Sequence, residues 1–267
     1  MAKSKTAAPT SSFAASLLAL SYRFPISTVF DDFLTMSIAA CTQNPVKGIS
    51  WYEDEYLATI DKYKDLELRH EFPKAFASLI SEMEYRTGSS LGNDVLGDFF
   101  EVHVSNGHNG QYFTPYPICM LMASIAQPDT SEPNTEPRRI LDPTCGSGRM
   151  LLASRTTLGL DNEFYGIDID HRCVKMTALN LFLNGVWGSE VMCADALRRN
   201  DFVISYRISL FPLGIFKIED KEQSKLWHLY QNSFEPNEPK GSSIILDSTP
   251  FNKRNKDNGK QMDLFNF

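Results

Sequence analysis

The chain has 267 residues, of which 42% are hydrophobic and 22% charged, and its formal net charge is −7. This composition is typical of a globular protein long enough for two domains, and no apolar run is long enough to span a membrane. A protein that binds DNA tightly by itself usually presents a basic face, so the acidic balance argues against tight unaided DNA binding.

Cysteine usage indicates the cellular compartment. The five cysteines are an odd, scattered set without a Cys-x-x-Cys pair, which argues against both a disulfide framework and a structural zinc site. We therefore expect a cytoplasmic protein, and no metal site is predicted. The cysteines are Cys41, Cys119, Cys145, Cys173 and Cys193.

The first residues, MAKSKTAAPTSSFAASLLALSYRFP, place lysines before an apolar stretch, as export signals do. Ser16 interrupts that stretch, and no convincing small-residue cleavage site follows it. We predict a disordered head over residues 1–12 followed by a helix; export is the less favoured alternative.

Residues 13–105 are predicted to form a helical domain. The stretches SSFAASLLALSYRF, TVFDDFLTMSIAA, EDEYLATIDKYKDLEL and PKAFASLISEMEYR carry apolar residues at three- and four-residue spacing. A last helix, NDVLGDFFEVHV, has Asn93 or Asp94 in position to cap its first turn.

Residues 106–252 change to short strands alternating with helices. RRILD, EFYGIDID, GSEVMCAD and SSIILDS are predicted strands, with the helices YPICMLMASIAQ, GRMLLASRTTLG and HRCVKMTALNLFLNG between them. Alternation of this kind predicts an α/β fold with a doubly wound, mostly parallel sheet. DFVISYRISLFPLGIFKI is a candidate for additional strands, and residues 253–267 form a basic and apolar tail.

A glycine-rich segment, DPTCGSGRM, lies between a predicted strand and a predicted helix. Gly146 and Gly148 allow the backbone to approach a ligand closely, and the helix start presents free N–H groups. A dinucleotide-binding turn would prefer Gly or Ala at Leu151, and a P-loop would need Gly-Lys-Ser/Thr. Neither pattern is present.

Aspartates follow the ends of three predicted strands. Asp168 is placed to accept hydrogen bonds from ribose hydroxyls, and Asp195 to receive an adenine amino group. Any one of these side chains, Asp142 included, would more often be a helix cap. Three at successive strand ends together indicate a nucleoside site.

The motifs DPTCGSGRML, YGIDID, ALNLFLNG and ADAL resemble the cofactor motifs of N6-adenine DNA methyltransferases. DVLGDFFE followed by GQYFTPYPIC is similar to the modification subunits of type I restriction-modification systems, and the motif order is that of the gamma group. The resemblance covers roughly residues 93–251. It implies a Rossmann-like methyltransferase fold that binds S-adenosyl-L-methionine.

The resemblance also implies roles for individual residues. Thr114 and Pro115 are equally explained as a helix cap and a first helical residue, although that does not account for the residues before them. The implied cofactor-binding residues are Tyr112, Phe113, Thr114 and Pro115 at the methionine end, Asp142 and Gly146 at its amino and carboxylate groups, Asp168 at the ribose, and Asp195 and Ala196 at the adenine. Gly148 and Ile169 are further implied cofactor-binding residues.

The segment SSIILDSTPF departs from the family pattern. The family carries Asn-Pro-Pro-Phe or Asn-Pro-Pro-Tyr there, and its Asn and first Pro accept hydrogens from the reacting amine while the aromatic ring stacks on the base. The candidate catalytic residues are Ser248, Pro250 and Phe251, with Ser248 in place of Asn. An ordinary strand and turn is the alternative.

The C-terminal tail suggests partners. Its basic residues, Lys253, Arg254, Lys256 and Lys260, could contact DNA at one edge, and sequence-specific recognition would need a partner specificity subunit. The stretch from Gln261 to Phe265 resembles the peptide that docks on the bacterial sliding clamp, although such short matches arise by chance and packing on the chain's own domain is favoured.

The function predicted from the sequence is that of a DNA methyltransferase of the N6-adenine type that binds S-adenosylmethionine. A non-catalytic cofactor-, DNA- or protein-binding module is the main alternative. Methylation of RNA or protein by the same fold is a third, because a fold does not fix a substrate.

Overall fold

A computed structural model of the chain describes residues 12–64, 67–89, 92–105, 112–126, 137–159, 161–198 and 201–232. Several predictions lie outside these ranges. They are the head apart from Ser12, the strand SSIILDS, the candidate catalytic residues Ser248, Pro250 and Phe251, and the tail with its basic and clamp-like segments.

The predicted helices of residues 13–105 are present as helices in the described residues. Asp94 caps α5 by accepting a hydrogen bond from the Gly97 amide at 2.8 Å, and a π-helical segment, Phe100–Ser105, continues from it. The α-helices are α1 Ser12–Leu20, α2 Ile26–Cys41, α3 Glu53–Asp61, α4 Glu71–Arg86, α5 Val95–Phe99, α6 Tyr116–Ile125, α7 Arg149–Leu158, α8 His171–Leu183 and α9 Lys225–Asn232.

The described strands form one five-stranded sheet in the order β1-β2-β3-β4-β5. The first three pair in parallel, as predicted, and the last two pair antiparallel. Their bounds are β1 Arg139–Asp142, β2 Glu163–Asp168, β3 Glu190–Cys193, β4 Ile204–Ser209 and β5 Gly214–Ile218.

The antiparallel half adds two strands to the predicted, mostly parallel sheet, and of the described strands only β4 runs opposite to the others. Its strands come from DFVISYRISLFPLGIFKI, and a short turn over residues 210–213 connects them. A parallel crossover needs about a dozen residues or more, so a connection of this length can only join neighbouring antiparallel strands. The described sheet is therefore mixed.

Helices cover both faces of the central strands. Phe164 of β2 packs in the same hydrophobic core as α7 and α8, whereas Tyr165 and Ile167 pack against Leu226 and Trp227 of α9. This alternation is expected for a strand, because successive side chains point to opposite faces.

The helical segment and the sheet share one hydrophobic core, which includes Phe13, Phe30 and Phe99 together with Phe164 and Leu179. Polar contacts also join the two. Arg172 of α8 donates to both carboxylate oxygens of Asp31 in α2, at 2.6 and 2.7 Å. The division between residues 105 and 106 stays a prediction.

None of the helices in the described ranges combines the length and apolar character needed to cross a membrane.

Candidate functional site

The glycine-rich segment forms a turn between β1 and α7. The Cys145 amide donates to the Ile167 carbonyl of β2 at 2.8 Å, and the hydroxyl of Thr177 donates to the Gly146 carbonyl at 2.9 Å. Gly148 has a left-handed φ of +84° directly before α7 begins. The turn is thus fixed by the neighbouring strand and by α8.

Phe113 lies over this turn. A Cβ atom added to Gly146, whose φ is +56°, would come within 2.7 Å of the Phe113 ring. Only glycine combines that backbone conformation with so close an approach. The structure therefore brings together two segments that the sequence assigns to one site, the aromatic loop and the glycine turn.

The three predicted aspartates follow the carboxyl ends of the parallel strands. Asp142 is the last residue of β1 and Asp168 the last of β2, while Asp195 comes two residues after the end of β3. Ligands of α/β sheets bind at this edge, outside the carboxyl ends of the strands. The turn residues Gly146 and Gly148 lie at the same edge, directly after β1.

Asp168 is held by backbone amides on both carboxylate oxygens. Oδ2 accepts from the Gly146 amide at 2.8 Å and Oδ1 from the Asp170 amide at 2.9 Å. Burial raises the pKa of Asp168, and these two N–H groups oppose that rise only in part. Each carboxylate oxygen can accept a second hydrogen bond, so the side chain retains capacity for a ligand hydroxyl.

Asp142 shares this environment. Burial raises its pKa, a hydrogen bond from the Thr144 amide at 3.1 Å opposes the rise, and the nearby charge of Asp168 adds to it. Partly buried carboxylates with raised pKa values favour a ligand that brings hydrogen-bond donors or a positive charge.

Asp195 and Ala196 form the turn after β3. Asp195 Oδ1 accepts from the Leu197 amide at 2.9 Å, and Oδ2 lies 3.5 Å from Nε of Arg198. The Ala196 carbonyl accepts a hydrogen bond from the Tyr230 hydroxyl of α9. The Asp195 carboxylate thus accepts a hydrogen bond within its own turn, and it does not cap a helix in the described residues.

Apolar side chains form the exposed rim of the site. The exposed fractions are 76% for Tyr112, 74% for Ile169 and 93% for Leu197. Thr114 contributes its carbonyl to the contacts beneath the loop, and Pro115 directly precedes α6.

A buried polar cluster beneath the turn was missed by the sequence prediction, which assigned Asp94 only a capping role. Its carboxylate also accepts from Ser147 Oγ at 2.5 Å, Arg149 Nε at 2.7 Å and Asn180 Nδ2 at 2.8 Å. We call this set of Asp94, Ser147, Arg149 and Asn180 the Asp94 hub. One signal in the sequence pointed to this cluster: the spacing Asp-x-x-Gly-x-x-x-Glu puts Asp94 and Glu101, which both pair with Arg149, on one helical face.

Comparison with known proteins bears on this site. Residues 91–212, which include the Asp94 hub, the glycine turn and the three aspartates, match the family model of N-6 DNA methylase. Through this segment the chain is similar to that family. Helices α1 to α4 precede the matched residues.

Two further similarities were found. Over 150 residues, 49% of this chain, it is 27% identical to the type II restriction enzyme and methyltransferase RM.BcgI of Heyndrickxia coagulans. It resembles the type I restriction-modification system methyltransferase subunit from Streptococcus thermophilus with a TM-score of 0.32 and 16% identity, over 66% of this chain. The match spans 23% of the first protein's length and 56% of the second's.

Proposed function

We propose that this chain binds S-adenosylmethionine at the carboxyl edge of β1 to β3 and takes part in N6-adenine methylation of DNA, as a modification subunit does. The observation that carries the proposal is the placement of Asp142 and Asp168 at the ends of neighbouring parallel strands, beside a glycine turn. The match of residues 91–212 to the N-6 DNA methylase family model supports the reaction class.

The residues present fit this cofactor. A ribose offers hydroxyl donors to Asp168, and an ammonium group offers positive charge near Asp142. Both would relieve the cost of two partly buried carboxylates whose pKa values are raised. The Phe113 ring packs directly over Gly146, within 2.7 Å of where a Cβ would lie, so the aromatic loop and the glycine turn border one site. When bound, S-adenosylmethionine supplies an electrophilic methyl group on a sulfonium.

In this proposal, different residues of the chain contact the methionine end, the nucleoside and the acceptor base. Tyr112, Phe113, Thr114 and Pro115 shield the methionine end from water, and Gly146 and Gly148 give the backbone close access to it. Ile169 covers one face of the nucleoside, and Asp195 with Ala196 receives the adenine edge. At the proposed acceptor end, Ser248 and the Thr249 backbone line the reacting amine, and Phe251, which follows Pro250, stacks on the base.

The binding step is tested by calorimetry with S-adenosylmethionine and its demethylated product. Asp168→Ala should weaken binding by roughly 10- to 150-fold, the value of hydrogen bonds to a charged group, about 1.5–3 kcal/mol. Asp161→Ala makes the same charge change on an exposed residue before the amino end of β2 and should leave affinity unchanged. Equal affinity in both variants, or comparable binding of NAD, would remove the assignment.

Methyl transfer is tested with labelled cofactor and unmethylated DNA, with and without a specificity subunit. We expect little transfer by the chain alone, because a serine hydroxyl both donates and accepts and is shorter than the amide of Asn. Ser248→Asn with Thr249→Pro should raise the rate, since one lost transition-state acceptor commonly costs about 10²–10³. Strong wild-type activity that this double change abolishes would contradict the proposed acceptor role.

A further inference from the structure

Arg149, the first residue of α7, carries a guanidinium that is buried among three carboxylates. Its side chain is 8% exposed; Nε lies 2.7 Å from Asp94 Oδ2, and Nη2 lies 2.9 Å from Asp98 Oδ1 and 3.3 Å from Glu101 Oε2. All three acids come from the helical segment that precedes the aromatic loop in the chain. A single side chain therefore joins that segment to the end of the glycine turn.

The same guanidinium reaches the aromatic loop. Nη1 donates to the Thr114 carbonyl at 3.4 Å, and the guanidinium carbon lies 5.8 Å from the centroid of the Phe113 ring. Glu101 holds the loop from its other oxygen, because Oε1 accepts from the Phe113 amide at 2.8 Å. Phe113 is thus fixed both directly by Arg149 and through Glu101.

The position of Phe113 sets the space above Gly146, as the 2.7 Å approach of an added Cβ shows. Phe100 supports the other side of the ring, with centroids 5.6 Å apart and planes 25° from parallel. A displacement of the loop would therefore change the volume available over the glycine turn.

Electrostatics keep Arg149 in this role. Burial by itself would lower the pKa of Arg149, but the carboxylates of Asp94, Asp98 and Glu101 outweigh it and raise the pKa. The side chain stays charged and paired. A buried ion pair seldom stabilises a protein more than a well-packed apolar pair would, so its contribution is better sought in geometry.

We propose that Arg149 is a positioning residue that fixes Phe113 and Thr114 over the glycine turn through the carboxylates of α5 and the π-helical segment. The loop-ordering part of this proposal concerns the ligand-free protein. Only its consequence for affinity rests on the proposed function.

Hydrogen exchange of the full chain without ligand tests the ordering, with peptides covering residues 112–126 as the readout. Arg149→Met should speed exchange at Phe113 and Thr114 by at least about tenfold, the factor for one lost hydrogen bond to a charged group. Arg86→Met is the matched control. Arg86 is also mostly buried and pairs with Asp98 at 2.5 Å and Glu82 at 2.6 Å, and neither of those pairs involves the loop.

Equal exchange at Phe113 and Thr114 in the two methionine variants would overturn the proposal. If Arg149→Met does not fold, Arg149→Lys against Arg86→Lys replaces the pair, because lysine keeps the charge but offers a single ammonium where the guanidinium forks between Asp94 and Thr114. Faster loop exchange confined to Arg149→Lys supports the proposal, and its absence overturns it.

Calorimetry then separates this proposal from the proposed function. If the wild type binds S-adenosylmethionine, Arg149→Lys should lower affinity about tenfold, whereas Arg86→Lys should not. Equal affinity in the two variants would overturn the link between loop order and binding. A wild type that does not bind contradicts the proposed function and leaves the exchange experiment to decide the ordering.

Discussion

The two sides of the glycine turn are built differently. Beneath it, the Asp94 hub is buried and hydrogen-bonded, with Asp94 only 2% exposed; above it, Tyr112, Ile169 and Leu197 are mostly exposed. Removing a buried charged partner is costly to stability, whereas truncating an exposed side chain usually is not. The hub should therefore govern folding and the rim ligand affinity.

The largest effect should come from Asp94→Ala. The change removes the cap of α5 and leaves Arg149 without its shortest ion pair, so we expect a loss of about 3–5 kcal/mol in the free energy of unfolding. Urea denaturation measures it. Asp61→Ala is the control, because Asp61 makes an exposed ion pair with Lys64 at 3.2 Å and should cost no more than about 1 kcal/mol. Similar losses in both variants would remove the distinction between hub and surface.

Gly146→Ala should have the next largest effect. Gly88→Ala is its control, since Gly88 also has a positive φ, +76°, but an added Cβ there would meet no atom of the described residues within 4 Å. Both variants incur the left-handed backbone cost of roughly 1–2 kcal/mol. Gly146→Ala adds the collision with Phe113, about 1–3 kcal/mol for overpacking, and should also abolish cofactor binding. Equal stability of the two variants would contradict the close approach of Phe113.

The sequence predicts the helices and the parallel strands well because their signals are local. Apolar spacing marked α1 to α4, and alternation of strand and helix marked β1 to β3. The antiparallel pairing of β4 with β3 and β5 could not be predicted from the sequence pattern. It depends on the short turn between them and on the free edge of β3, which the apolar pattern does not encode.

The site divides in the same way. Asp142, Asp168 and Gly146 belong to contiguous motifs whose spacing places them at strand ends. The Asp94 hub joins residues from α5, the glycine turn and α8 that are distant in the chain, and Asn180 looks like any polar residue on a helix. Pairing of this kind follows from packing, so a single sequence cannot specify it.

A smaller effect concerns pH. Because the pKa values of Asp142 and Asp168 are raised, a ligand that needs both carboxylates ionised should lose affinity as the pH falls through a window above the ordinary aspartate value of 3.8. Each carboxylate that must be ionised for binding lowers the affinity about tenfold for every pH unit below its own pKa. Calorimetry of S-adenosylmethionine binding between neutral and mildly acidic pH measures the loss.

Stability should respond in the opposite sense. A raised carboxyl pKa means that the folded state favours the protonated form, so these two groups stabilise the ligand-free protein below the unfolded pKa and lose that contribution as the pH rises through the folded pKa. The difference in unfolding free energy between wild type and Asp168→Asn isolates this contribution. If the affinity and this difference in unfolding free energy both rose with increasing pH, the assignment of Asp168 to ligand binding would be contradicted.

The smallest effect on folding should come from the rim. Ile169→Ala removes apolar atoms that are 74% exposed, so the unfolding free energy should change by no more than about 0.5 kcal/mol. The same atoms would be covered by a bound nucleoside, and losing part of that burial should weaken binding by about 1 kcal/mol, roughly fivefold. Val46→Ala, at a residue 92% exposed in the loop after α2, should change neither quantity. An Ile169→Ala variant that lost stability but kept its affinity would reverse the comparison, because the rim would then contribute to folding, as the hub does, and not to ligand binding.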